Sequence, residues 1–73
     1  MASKKPIQQK FGERIRQLRK RRGLSQEELA EKCDLDRTYI SGIERGLRNV
    51  SITNIEKISM ALGMSLSRLT EGL

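Results

Sequence analysis

The chain has 73 residues, with 15 Lys+Arg against 9 Asp+Glu, no histidine and one cysteine. That length supports one domain with a single core, one cysteine cannot form an internal disulfide, and the lack of a Cys/His cluster excludes a structural zinc site. No apolar run is long enough to span a bilayer and no signal-peptide segment is present, so the expected location is the cytoplasm, away from membranes.

The positive charge is unevenly placed. Residues 1–24 hold nine bases and one acid, a balance of +8, whereas residues 25–73 hold six bases and eight acids, a balance of −2. A solvated helix face would account for such a run by itself. A polyanion partner gains weight only if a motif exists to use the charge. Residues 1–7 read as a disordered basic arm, which either tracks a phosphate backbone or simply frays. The domain proper is then 8–73.

The first helix is expected over 8–22, with Phe11, Ile15 and Leu18 on one face. The next four begin alike. An apolar residue precedes Ser or Asp, and another large apolar residue follows four positions later: Leu24-Ser25…Leu29, Leu35-Asp36…Ile40, Val50-Ser51…Ile55 and Met64-Ser65…Leu69. The polar side chain can accept hydrogen bonds from the free N–H groups of the first turn, and the flanking apolar pair can close as a hydrophobic staple. Ser25 also has Glu28 three residues on, which completes a capping box. Gly23, Gly46, Gly63 and Gly72 each follow a periodic segment, where a left-handed residue is wanted. These signals predict helices over 26–33, 37–45, 52–62 and 66–71. No strand-like alternation appears, so the expected class is all-α, a compact five-helix domain.

The most informative stretch runs from Asp36 to Gly46. It reads as a short helix whose Ile40 and Ile43 face a core while Arg37, Thr38, Ser41 and Arg45 project outward. Gly42 would leave a gap on that outer face, open to close approach by another molecule. A second short helix precedes it across a two- or three-residue turn. Two short helices so joined, in a basic chain, predict a helix-turn-helix.

Catalysis finds no support. Without histidine, the usual base for a Ser or Cys nucleophile is missing. Glu27, Glu28 and Glu31 read as solvated helical charge, and Cys33, in apolar register, as a small buried hydrophobe. No phosphate-binding glycine loop, cofactor motif, metal site or small-molecule pocket is evident.

The segments Gln26-Glu27-Glu28-Leu29-Ala30, Ile40-Ser41-Gly42-Ile43-Glu44-Arg45-Gly46 and Ala61-Leu62-Gly63-Met64-Ser65 resemble the Cro/C1-type (XRE-like) helix-turn-helix family of phage repressors and bacterial regulators. The resemblance covers about residues 10–72. The run from Leu35 to Arg45 is most similar to the controller proteins of restriction–modification systems. In that family the first of the paired helices lies across the DNA backbone and the second enters the major groove. The resemblance therefore implies a phosphate contact for Gln26, at a helix N-terminus that already favours an anion. It implies base reading by Arg37, Thr38 and Ser41, and backbone contacts by Tyr39 and Arg45. Side-chain chemistry agrees: Arg matches guanine O6 and N7 bidentately, and Thr offers a methyl or a hydroxyl. The alternative for Arg37 is a surface charge paired with Asp36 or Asp34. Arg48 and Asn49, in the loop beyond, look like phosphate contacts, with ordinary loop polarity as the alternative. Ala30 matches the small residue at the crossing of the two helices, and Glu44 matches a family glutamate that pairs with a first-helix arginine, here Arg19. One departure is Asp34, which stands where the family usually has a left-handed Gly. Aspartate tolerates that region at some cost.

The expected function is thus a sequence-specific transcriptional regulator, a homodimer on double-stranded DNA with a pseudo-palindromic operator. Met64, Leu66, Leu69 and Leu73 offer more apolar groups than a small core needs and are expected at the dimer interface. The rival is an antitoxin-like protein-binding module with secondary DNA binding; such proteins usually need an extra segment, and only four residues follow Leu69. A non-specific nucleic-acid binder fits less well, given the negative balance after residue 24.

Overall fold

In the computed structural model, which describes residues 5–73, four helices start at a residue whose side chain serves free N–H groups of the first turn, and the first helix follows a proline without a side-chain cap. The five helices are α1 (Ile7–Arg21), α2 (Gln26–Cys33), α3 (Arg37–Glu44), α4 (Ile52–Ala61) and α5 (Leu66–Leu69). Pro6 precedes α1 in extended conformation, so the helix starts one residue earlier than expected, at Ile7. Of the arm expected over 1–7, the first four residues lie outside the described part; Lys5 pairs with Glu13 at 2.8 Å.

Ser25, Asp36, Ser51 and Ser65 are extended residues whose side chains accept a backbone N–H from the first turn of α2, α3, α4 and α5. At α2 the capping box is complete. The Glu28 backbone N–H donates to Ser25 Oγ at 3.0 Å, and the Ser25 N–H donates to Glu28 Oε1 at 2.8 Å. Hydrogen bonding of the carboxylate to the Ser25 backbone N–H, and then to the Ser25 side chain, holds the Glu28 carboxyl below the usual carboxylate range.

The helix ends are equally uniform. After α1, Leu24 N–H reaches back to the Arg19 carbonyl at 3.1 Å and Gly23 N–H to the Lys20 carbonyl at 3.0 Å. The same pair of backward bonds recurs after α2, α3 and α4. This geometry needs one left-handed residue, and Gly23, Gly46 and Gly63 supply it at three of the four ends. After α2 the residue is Asp34, at φ 57° and ψ 43°. It is the only non-glycine with positive φ among the described residues. The ends fall slightly short of expectation: α1, α3 and α4 each stop one residue earlier, and α5 stops at Leu69, where 71 was expected. The wanted left-handed residue ends the α-helical hydrogen bonding one step sooner than apolar periodicity suggests.

The core collects Phe11, Ile15 and Leu18 from α1, Leu29, Ala30 and Cys33 from α2, Ile40 and Ile43 from α3, with Ile58, Leu62 and Leu69 from the last two helices and their ends. α3 lies between α1 and α2, α4 packs on α2, and α5 packs on α4. Burial pushes the Cys33 thiol up to about 11, with Lys57 acting weakly in the other direction. Cys33 is therefore a core group, held as the neutral thiol.

Two core details were not expected. Gly12 sits where α1 crosses α3, and a Cβ there would run into the Ile43 carbonyl oxygen and stand 2.9 Å from that of Glu44. Arg14, counted above only as part of the basic field, donates to the carbonyls of Arg68 (2.7 Å) and Leu69 (3.2 Å). It thereby caps the short α5, whose free carbonyls favour a cation.

Leu69 requires a correction. It is fully buried in the core and cannot face a second subunit. Its position four residues after Ser65 closes the apolar staple of α5 inward, so the residue belongs to folding and not to assembly. Leu66 is 36% exposed, and Met64 and Leu73 are partly buried against the core.

Candidate nucleic-acid interface

α3 is held from behind and free in front. Behind it, Arg19 of α1 reaches Glu44 with two hydrogen bonds, Nε to Oε2 at 2.7 Å and Nη2 to Oε1 at 2.9 Å. The Gln26 amide donates a third to Glu44 Oε1 at 3.1 Å, and Arg19 Nη1 donates to the Leu24 carbonyl at 2.8 Å. The side chains of Arg19 and Glu44 are 11% and 3% exposed. The hydrogen bond to Glu44 raises the Arg19 pKa further, so the guanidinium stays charged. One carboxylate thus ties α1, α2 and α3 together, and Gln26, at the start of α2, is oriented by it.

In front, the first turn of α3 is set by Asp36. One carboxylate oxygen accepts the Thr38 backbone N–H at 3.1 Å and the Thr38 hydroxyl at 2.9 Å. The backbone bond, then the hydroxyl bond, holds the Asp36 carboxyl below the usual range. Thr38 has therefore spent its hydroxyl proton internally and presents its methyl and an acceptor oxygen. Asp36 is occupied, and Arg37 makes no ion pair or hydrogen bond among the described residues. The pairing with Asp36 or Asp34 considered for Arg37 does not form. Its guanidinium is exposed, as is that of Arg45 just past the helix end; Ser41 is half-buried on the same helix.

The gap expected at Gly42 is filled. A Cβ at Gly42 would meet Arg48 Cγ and Nε, both at 3.1 Å, because the Arg48 stem folds back over the helix. The Arg48 guanidinium then stands over the Tyr39 ring, 5.6 Å from its centroid, as a cation–π pair. Gly42 thus leaves room for an internal contact, the stem of Arg48. Two further hydrogen bonds hold the loop and the helices it joins. Gln8 Nε2 donates to Asn49 Oδ1 at 2.6 Å, and Asn54 Nδ2 of α4 donates to the Tyr39 hydroxyl at 3.2 Å.

The fold therefore presents Arg37, Thr38 and Ser41 along α3, and gathers Tyr39, Arg48 and Asn49 at the α3–α4 loop. Arg45 stands at the C-terminal end of α3, and Gln26 lies beside the buried ion pair. Gln8 and Asn54 are contributors that the residue pattern does not announce. Each is an ordinary polar helix residue in sequence, distinguished only by what the fold sets opposite it.

A helix-turn-helix family model matches residues 15–69. Over 55 residues the chain is 64% identical to the control protein C.BamHI of Bacillus amyloliquefaciens, covering 74% of this chain and 68% of that protein. It superposes on the restriction–modification controller protein C.AhdI of Aeromonas hydrophila with a TM-score of 0.83 and 52% identity, covering 85% of this chain and 94% of that one. It also superposes on SinR, a master regulator for biofilm formation solved in complex with DNA, with a TM-score of 0.78 and 45% identity over 84% of this chain and 98% of that one. A helix-turn-helix backed by α1, a free guanidinium at the front of its second helix and these likenesses converge, and the chain belongs to the Cro/C1-type helix-turn-helix family of transcription regulators.

Proposed function

We propose that the protein binds double-stranded DNA as a homodimer, at a pseudo-palindromic operator, and serves as the controller of a restriction–modification gene set. α3 enters the major groove, where Arg37, Thr38 and Ser41 read base edges. Gln26, Tyr39, Arg45, Arg48 and Asn49 hold phosphates. The observation that carries this reading is Arg37: an unpaired, exposed guanidinium in the first turn of a helix locked to the rest of the fold by Glu44. A guanidinium fork carried on a helix held in this way suits bidentate hydrogen bonding to guanine. The likeness to C.BamHI and C.AhdI supports the controller role, and that to SinR supports DNA as the partner. Action on DNA implies the cytoplasm. Among the described residues no helix is long and apolar enough to cross a membrane.

Selection from a random DNA pool is expected to return paired half-sites. On that operator, Arg37→Ala is expected to cost about 1–3 kcal/mol and to flatten the preference at one base pair per half-site. Arg37→Lys should recover little, because one ammonium lacks the fork. If Arg37→Ala weakens every sequence equally, the side chain is a phosphate clamp and base reading moves to Thr38 and Ser41.

A further inference from the structure

We infer that Asn54, on α4, is a positioning residue for DNA binding: its amide fills the acceptor side of the Tyr39 hydroxyl and leaves the phenolic proton to be donated outward to a phosphate oxygen. The inference rests on the proposed phosphate contact of Tyr39. A phenol has one proton to give, whereas phosphate oxygens only accept. If the internal partner of Tyr39 were an acceptor, the proton would turn inward and the hydroxyl would show the backbone only lone pairs. Here the partner is a donor, Asn54 Nδ2, at 3.2 Å from the hydroxyl oxygen.

The surroundings leave each group little freedom. One face of the Tyr39 ring carries the Arg48 guanidinium, whose stem rests on Gly42. Asn54 is the third residue of α4, and its backbone N–H donates to the capping Ser51 Oγ at 3.1 Å. Tyr39 and Asn54 are both half-buried, so the bond between them is partly shielded from competing water. α4 thereby acts on the recognition surface through a tyrosine that belongs to α3.

The test is a double-variant cycle on operator affinity, using the full chain at one salt concentration and melting curves to verify folding. Asn54→Leu and Tyr39→Phe are each expected to weaken binding about 10-fold, the worth of one hydrogen bond to a charged group. The double variant is expected to be no weaker than either single one. Asn54→Asp keeps the size but can only accept. It is expected to weaken binding beyond its added charge, and that excess should vanish in the Tyr39→Phe background. Losses that multiply, or an Asn54→Leu variant that binds like the parent, overturn the inference while leaving DNA binding intact. A parent chain that binds neither operator nor random DNA overturns the proposed function itself.

Discussion

Arg19 and Glu44 show how a single charged pair can set what a recognition helix is able to do. Glu44 accepts three hydrogen bonds from two side chains on two other helices, at 3% side-chain exposure. A pair of this kind adds little net stability over an apolar equivalent, but removing one partner strands a buried charge. Glu44→Ala is therefore expected to cost on the order of 3 kcal/mol in denaturant unfolding. A loss under about 1 kcal/mol would mean that water replaces the carboxylate without penalty, as at a surface pair. The same variant also frees the Gln26 amide, so whatever stable fold remains should bind DNA less well in proportion to its Gln26 contact.

At the scale of helices, caps and turns carry the organisation. Asp34 is left-handed, and among the described residues its side chain makes no hydrogen bond that would offset the strain. Asp34→Gly is expected to raise stability by up to ~1 kcal/mol, less what the looser unfolded chain takes back. An unchanged or lower melting temperature would show that the strain is already relieved. The opposite substitution fails at Gly12. Gly12→Ala improves helix propensity but forces a methyl against the Ile43 carbonyl, so a net loss of about 1–3 kcal/mol is expected in the same melting experiment. The capping carboxylates add a pH dependence. Glu28 and Asp36 both titrate lower in the fold than in the unfolded chain. Their stabilising effect is complete above the ordinary carboxylate range and is lost as pH falls through their lowered folded values. The Glu28→Gln/Asp36→Asn variant should therefore show a flatter fall in melting temperature on acidification than the parent; equal slopes would assign acid sensitivity to other carboxylates.

At the scale of the whole molecule, one recognition helix covers too few base pairs to find one operator among genomic competitors. Pairing two copies doubles the contacts and sets half-sites about one helical turn, or ~34 Å, apart. With Leu69 committed to the core, the proposed interface falls to Leu66, Met64 and Leu73. Leu73 also lines an open apolar groove of about 300 Å³ with Ile7, Phe11, Val50 and Ile55, which adds apolar surface near the end of the chain. Sedimentation with operator DNA at saturating protein is expected to give two chains per site, and Leu66→Glu to shift free protein toward monomer. Monomers alone on the operator would overturn the homodimer.

What the sequence determined by itself is local. Serine and aspartate before each apolar run, and glycine after it, act through backbone groups within a few residues of themselves. They therefore mark the starts of α2 to α5 correctly and the helix ends to within one or two residues, with Asp34 as the one strained end. The core stripe of α1 was equally legible, since burial follows a period of 3.6 residues. What only the tertiary structure decided depends on which side chain lies opposite which. Leu69 and Leu66 look alike as apolar residues, yet one is sealed in the core and the other is on the surface. Gly42 seemed an opening until Arg48 closed it, and Gly12 gave no sign of the helix crossing that requires it. Arg14, Gln8 and Asn54 are polar helix residues whose partners lie 55, 41 and 15 positions away. Such pairings come from the packing of the helices against one another, and no pattern within one helix encodes them.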